Sequence, residues 1–288
     1  MRTIQSLFFF VALTLAACVP DDKSGPNPTE TTVTIPTQGA TSPTSYPNMS
    51  LFWADEFTGS ELSDNYWSHE TGNGSNGWGN NELQFYRPQN TSTKDGHLII
   101  TAKKEPFGGK EYTSSRIVTK VKKEFRYGRV DIRAALPKGQ GIWPALWMLA
   151  SQTTFGSTYW PDQGEIDIME HVGYDPSVVH ASVHTNLFNH VLRTQQSAKT
   201  IVPTFNTVFH VYRMDWTPDE IKVFLDDKEF FVFKRQGALW QEWPFSQPQH
   251  LLINIAVGGN WGGLKGIDDA IFPIKLEVDY VRYYSLKQ

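Results

Sequence analysis

The chain has 288 residues, 40% of them hydrophobic and 19% charged, with a formal net charge of −4. This length supports one large domain or two small ones with a sizeable core, and a slightly acidic balance without a basic patch excludes a nucleic-acid-binding footprint. The single cysteine, Cys18, excludes an internal disulfide.

Residues 1–18 read as an export signal. Arg2 supplies a positive start, Leu7 to Leu15 is apolar but too short to span a bilayer, and small residues close the segment. Leu15-Ala16-Ala17-Cys18 resembles the cleavage box of bacterial lipoproteins, in which the cysteine becomes the lipidated N-terminus. Asp21 and Asp22 resemble the acidic tags that send some lipoproteins to the cell surface. Residues 19–47 are dominated by Pro, Thr, Ser, Asp and Asn, a composition that cannot bury enough surface to fold and reads as a disordered tether. The expectation is therefore an exported, membrane-anchored bacterial lipoprotein on the outer membrane or cell surface, with a folded domain over 48–288.

From Leu51 onward the chain becomes short apolar runs punctuated by Gly, Pro, Asn and Asp. Strands are predicted at 51–55, 83–86, 97–102, 115–120, 128–134, 143–149 and 165–172, and then at 178–184, 210–216, 220–225, 229–234, 250–256 and 276–284. No stretch with a 3.6-residue period competes, and no internal repeat is present. Thirteen strands joined by turns predict an all-β antiparallel sandwich or barrel.

The segment Gly164-Glu165-Ile166-Asp167-Ile168-Met169-Glu170 concentrates the chemistry. Ile166 and Ile168 alternate with Glu165 and Asp167, the period of a half-buried strand. Strict alternation sends Glu170 into the core, where an unpaired charge is costly. One extra residue, a β-bulge near Ile168-Met169, returns it to the acidic face. Three adjacent carboxylates repel one another, so at least one holds a proton near neutrality. That suits a division of labour in which ionised Glu165 attacks and protonated Glu170 donates, as glycosidic-bond hydrolysis requires. The Cα atoms are about 16 Å apart on a straight strand, so bulge and curvature must bring the carboxyls together.

Aromatic residues are abundant, with ten Trp. In Gly141–Met148, Trp143, Ala145 and Trp147 share one face, while Ile142, Pro144, Leu146 and Met148 share the other. Two Trp spaced by about 13 Å on one sheet face form a platform for sugar rings. Trp160 and Trp261 are further platform candidates, the latter expected to stand exposed on a loop between glycines. The Gly-rich loop 72–81 lacks the Lys-Ser/Thr ending of a phosphate loop and reads as a sugar-contacting loop or an elaborate turn. Arg116 contacts sugar hydroxyls or pairs with a surface acid. His180 and His184 share a strand face, with His190 nearby, but no third metal ligand has convincing spacing.

Together these residues resemble glycoside hydrolase family 16, in the bulge-containing form found in laminarinases. The resemblance rests on Glu165-Ile166-Asp167-Ile168-Met169-Glu170, Trp53–Phe57, Gly79–Gln84, Gly128-Arg129-Val130, Gly141–Trp147, Asn254–Trp261 and Val278–Arg282. It implies a jelly-roll β-sandwich of the concanavalin A-like class with a concave substrate cleft, and endo-acting, retaining cleavage of β-1,3- or mixed-linkage β-1,3/1,4-glucan. A sugar-binding module without turnover, a transglycosylase and a galactanase are the alternatives. The implied roles are nucleophile for Glu165, assisting acid for Asp167 and acid/base for Glu170, with Asn81, Arg116, Trp143, Trp147 and His184 contacting glucan. Catalysis needs no cofactor. A structural calcium is implied at Glu56, Gly96 (through its carbonyl) and Asp279, an oxygen set suited to that ion. The expected partner is a β-glucan polymer or oligosaccharide, the expected state a monomer.

Overall fold

Runs of Ile, Val, Leu and aromatic residues at alternate positions, interrupted by turn-forming residues, build strands whose apolar faces must be covered by a second sheet. A computed structural model describes residues 35–287, so the signal segment, Cys18 and the start of the tether lie outside the described residues. In chain order the strands are β1 (Met49–Asp55), β2 (Ser68–His69), β3 (Gln84–Tyr86), β4 (Thr91–Lys94), β5 (His97–Phe107) and β6 (Lys110–Ser114). They continue with β7 (Arg116–Val118), β8 (Gly128–Ala135), β9 (Ile142–Ala150), β10 (Glu165–Glu170), β11 (Val178–His184) and β12 (Gln196–Ile201). The last five are β13 (His210–Trp216), β14 (Glu220–Leu225), β15 (Lys228–Lys234), β16 (Gln249–Val257) and β17 (Ile274–Leu286).

These strands form a two-sheet jelly-roll sandwich. The smaller sheet has the order β12-β11-β10-β9-β16-β7-β2. The larger runs β15-β14-β13-β8-β17-β5-β6-β3, with β1 beside β17 and β4 beside β5. Pairing is antiparallel except between β3 and β6, which are parallel. All thirteen predicted strands are present. The four that were not anticipated, β2, β4, β6 and β12, are short and largely polar; β12 and β2 are the two edges of the smaller sheet.

Inward-facing residues of both sheets meet in one core. The smaller sheet contributes Ile142, Leu146, Met148, Ile166, Ile168, Ile253 and Ile255; the larger contributes Leu98, Ile100, Ile132, Met214, Val223 and Val281. Each such side chain contributes roughly 1.5–3 kcal/mol relative to an exposed position. Strand β16 is buried along its whole length between β9 and β7, as its near-continuous apolar run requires.

The described end of the expected tether has hydrogen-bond partners, although its composition alone reads as disordered. Residues 38–46 lie against the larger sheet. The Phe209 N–H donates to the Gln38 carbonyl and the Ala40 N–H to that of Phe209. Arg133 donates to the Ala40 carbonyl, and the Tyr46 hydroxyl donates to Asp131. A polar strap needs no core of its own when the sheet beneath supplies hydrogen-bond partners and Tyr46 packs edge-on against Tyr284. Among the described residues no helix is long and apolar enough to cross a membrane.

Candidate active site

Strand β10 sits centrally in the smaller sheet, between β9 and β11. Its register confirms the extra residue. Asp167 pairs with Trp147 and Met169 with Leu146 on β9, while Asp167 pairs with Ser182 and Glu170 with His180 on β11. Two residues of β10 therefore oppose one of its neighbour, the geometry of a bulge. Ile166, Ile168 and Met169 all enter the core, while Glu165 and Glu170 are half-buried and Asp167 is buried between them.

Each acid is held by a different donor. The Trp160 indole N–H donates to Glu165 Oε2 at 2.7 Å, and that of Trp143 donates to Glu170 Oε1 at 3.0 Å. Ser182 donates to Asp167 Oδ2 at 2.7 Å, and its hydroxyl lies 3.4 Å from Glu170 Oε2. His184 Nε2 stands 3.4 Å from Asp167 Oδ2. Among the described residues no lysine or arginine forms an ion pair with the three acids. The basic side chain in contact with them is the imidazole of His184.

Burial pushes the Glu165 and Glu170 carboxyls well above the usual carboxylate range, and the neighbouring Asp167 pushes both further. The Trp160 hydrogen bond and Arg116 oppose the rise at Glu165; His184 and the Trp143 hydrogen bond oppose it at Glu170. Burial alone would depress His184, but its hydrogen bond to Asp167 and the charges of Asp167 and Glu170 outweigh it, so its pKa is raised. The site thus retains a proton among coupled acids at a pH where isolated carboxyls are ionised.

The aromatic residues surround this face. On β9, Trp143 and Trp147 are partly exposed, while Ile142, Leu146 and Met148 are buried, as their alternation predicts. Trp261 does not stand free: it packs edge-on against Trp143, with ring centroids 5.4 Å apart, and against His180 at 5.0 Å. Gly262 permits this approach, since a β-carbon there would lie 2.8 Å from the Trp143 Cβ. Trp160 lies 5.1 Å from the ring of His190 and 6.0 Å from that of His184.

Of the two roles its sequence position left open, Arg116 takes up the pairing with an acid. It forms an ion pair with Glu70 at 2.6 Å, and its guanidinium lies 4.5 Å and 4.8 Å from the ring centroids of Trp78 and Trp147. The loop before β3 is an elaborate turn, with Asn76, Trp78 and Asn81 in left-handed conformations. Asn81 is exposed and donates to Asn260 at 2.8 Å, bridging the two Gly-rich loops. Sequence reasoning missed Ser182 and Glu70. The first was findable, since Ser182 lies between His180 and His184 on the strand face those two share; nothing in the pattern marks Glu70.

Among the described residues, the acids and imidazole close enough to share a metal ion are Glu165, Asp167 and His184, whose ligand atoms lie within 4.8 Å of one another. Of the three histidines raised by the sequence, only His184 belongs to this group. The calcium set fits in part. A β-carbon on Gly96 would lie 4.0 Å from the Glu56 carbonyl oxygen, so those two main chains are adjacent. The Glu56 carboxylate, however, accepts two hydrogen bonds from Arg282, and Asp279 Oδ2 accepts one from Arg133. The Glu56 side chain is therefore engaged elsewhere, and an ion there would rely on main-chain oxygens and on Asp279 Oδ1, which lies 3.4 Å from His97 Nε2.

The profile of glycosyl hydrolases family 16 matches residues 79–282. The chain belongs to that family. A β-glucanase of Rhodothermus marinus is 52% identical over 247 residues, covering 83% of this chain and 86% of that protein. The solved laminarinase from Rhodothermus marinus superposes with a TM-score of 0.81 at 49% identity, covering 85% of this chain and 100% of that one. A laminarinase from Flavobacterium sp. UMI-01 superposes with a TM-score of 0.76 at 43% identity, covering 82% and 100%. Within family 16, this chain therefore carries the bulged acidic strand on the central part of its smaller sheet.

Proposed function

We propose that the chain is an endo-acting, retaining β-glucan hydrolase in which Glu165 is the nucleophile, Glu170 the acid/base and Asp167 the group that tunes both. The observation that carries the assignment is the bulge, which sets Glu165 and Glu170 on one face with Asp167 between them. Trp160 occupies one oxygen of Glu165 and leaves Oε1 for attack on the anomeric carbon. Trp143 occupies Oε1 of Glu170, so the transferable proton belongs on Oε2, beside Ser182. In the first step the Glu165–sugar ester bond forms as the glycosidic bond breaks, and Glu170 protonates the departing oxygen. Esterification removes the Glu165 charge, which favours ionised Glu170. That carboxylate then takes a proton from water as water attacks the ester, releasing sugar with its original configuration.

The β-glucanase and laminarinases among its relatives support a neutral β-glucan as substrate, bound along Trp143, Trp147, Trp160 and Trp261 with Asn81, Arg116 and His184 as polar contacts. A side-by-side product profile on laminarin, lichenan, barley glucan, agarose and carrageenan tests this. The expected result is oligosaccharides from one or more of the three glucans, with the β-anomer appearing first. Release from the galactans alone, or inverted product, would overturn it. The Leu-Ala-Ala-Cys box further supports export and lipidation at Cys18. Cys18→Ala is then expected to shift the protein from the membrane pellet to the soluble fraction, and unchanged pelleting would refute the anchor.

A further inference from the structure

Glu82 is a buried acid that the hydrolytic mechanism does not use. It is 5% exposed and forms no ion pair among the described residues, yet three side chains aim donors at it. Gln84 Nε2 lies 2.7 Å from Oε2, the Tyr86 hydroxyl 3.1 Å from Oε2, and Asn80 Nδ2 3.3 Å from Oε1. Tyr86 in turn accepts from Asn254 Nδ2 at 3.1 Å, and Asn254 Oδ1 accepts from the Trp147 indole N–H at 2.7 Å.

The direction of every hydrogen in this chain is fixed. An indole nitrogen only donates, so Asn254 must present its oxygen to Trp147 and its amide nitrogen to Tyr86. The Val257 N–H likewise donates to Gln84 Oε1 at 2.7 Å, which turns the Gln84 amide nitrogen towards Glu82. Tyr86 is fully buried, and once its oxygen has accepted from Asn254 its proton has Glu82 as its partner. The chain therefore needs an acceptor at its end, and a carboxylate provides one without a competing proton. Burial raises the Glu82 pKa, while the donors and the charge of Arg116 oppose that rise.

The far end of the chain is in the binding face. Trp147 pairs with Asp167 across β9 and β10, and its ring carries the Arg116 guanidinium. We infer that Glu82 is a positioning residue which, through Tyr86 and Asn254, fixes the Trp147 indole and so sets how tightly the cleft floor holds substrate. It acts on binding, because no link of the chain touches Glu165 or Glu170. The inference rests on the β-glucan reading above, and the substrate face in question is the one that Trp147 shares with Arg116.

The test compares wild-type protein with Glu82→Gln and Tyr86→Phe by steady-state kinetics on laminarin and by the NMR resonances of the indole N–H groups. The Trp147 signal is identified as the one lost in Trp147→Phe. Both variants are expected to move that signal upfield with the other indole signals in place. KM should rise roughly tenfold, the equivalent of one lost hydrogen bond, with kcat within about twofold. Tyr86→Phe removes a single oxygen from the middle of the chain and serves if Glu82→Gln does not fold. An unmoved Trp147 signal with unchanged KM in either folded variant would overturn the inference, as would a fall in kcat matching the rise in KM. If wild-type protein cleaved no β-glucan, the functional reading would fall while the indole signals still decided whether Glu82 positions Trp147.

Discussion

The outer faces of the two sheets treat charge in opposite ways. On the larger sheet nearly every outward arginine has a carboxylate. Arg129 makes two hydrogen bonds to Asp215, Arg282 two to Glu56, Arg133 binds Asp279, and Arg213 pairs with Asp227. Each guanidinium also lies over an aromatic ring, on Tyr46, Tyr280, Phe209 and Phe224 respectively. On the smaller sheet three acids converge with no basic partner beyond a histidine, and indole and hydroxyl donors hold them in place. Paired charge fastens the strap and the strands. Unpaired charge, held at a cost in stability, keeps protons available for chemistry.

The largest effect expected from breaking this contrast is on rate. Glu165→Gln should lower hydrolysis by roughly 10⁴-fold or more, as loss of a nucleophile does, while glucan retention on affinity gels persists. Glu170→Ala should fail on natural glucan yet keep activity on glycosides with a very acidic leaving group, which need no protonation. Equal loss on both substrates would remove Glu170 from the acid role. On the other sheet, Arg133→Ala should cost about 1–3 kcal/mol in denaturant unfolding by freeing Asp279 and the strap carbonyl of Ala40, with kcat/KM unchanged. An activity loss as large as that of the acid variants would erase the distinction between the faces.

A subtler effect concerns pH. The Asp167 charge raises both glutamate pKa values, so Asp167→Asn should lower them. Activity falls on the alkaline side when Glu170 loses its proton, and that limb of the pH–rate profile should therefore move to lower pH. A limb that stayed in place would show that burial alone sets the Glu170 proton. The smallest effect is expected from chelation. If calcium binds main-chain oxygens of Glu56 and Gly96 with Asp279 Oδ1, a chelator lowers Tm and spares kcat measured at low temperature; an unchanged Tm argues against the ion.

Much of this was legible in the chain. Strong alternation at Ile142–Met148 and Glu165–Ile168 announced which faces were buried, and the cost of burying Glu170 announced the bulge. Strands such as Gln196–Ile201 and Thr91–Lys94 were not legible, because polar residues on both faces leave no period to detect. The strap at 38–46 was hidden for a related reason: its partners, Phe209, Arg133 and Asp131, lie far away in sequence. The same limit applied to the site. Glu165, Asp167 and Glu170 are local in sequence and could be read together. The clamp on Arg116 by Glu70, Trp78 and Trp147 exists only once strands from distant segments are side by side.

A retaining mechanism at this site requires that Glu165 form a covalent bond to sugar. A 2-deoxy-2-fluoro β-glucoside or laminaribioside with a good leaving group should form the ester rapidly and release it slowly. Intact-mass measurement should then show one added glycosyl unit, and peptide mapping should place it on the fragment containing Glu165. Absence of an adduct while the leaving group is released, or an adduct on a different residue, would rule out Glu165 as the nucleophile.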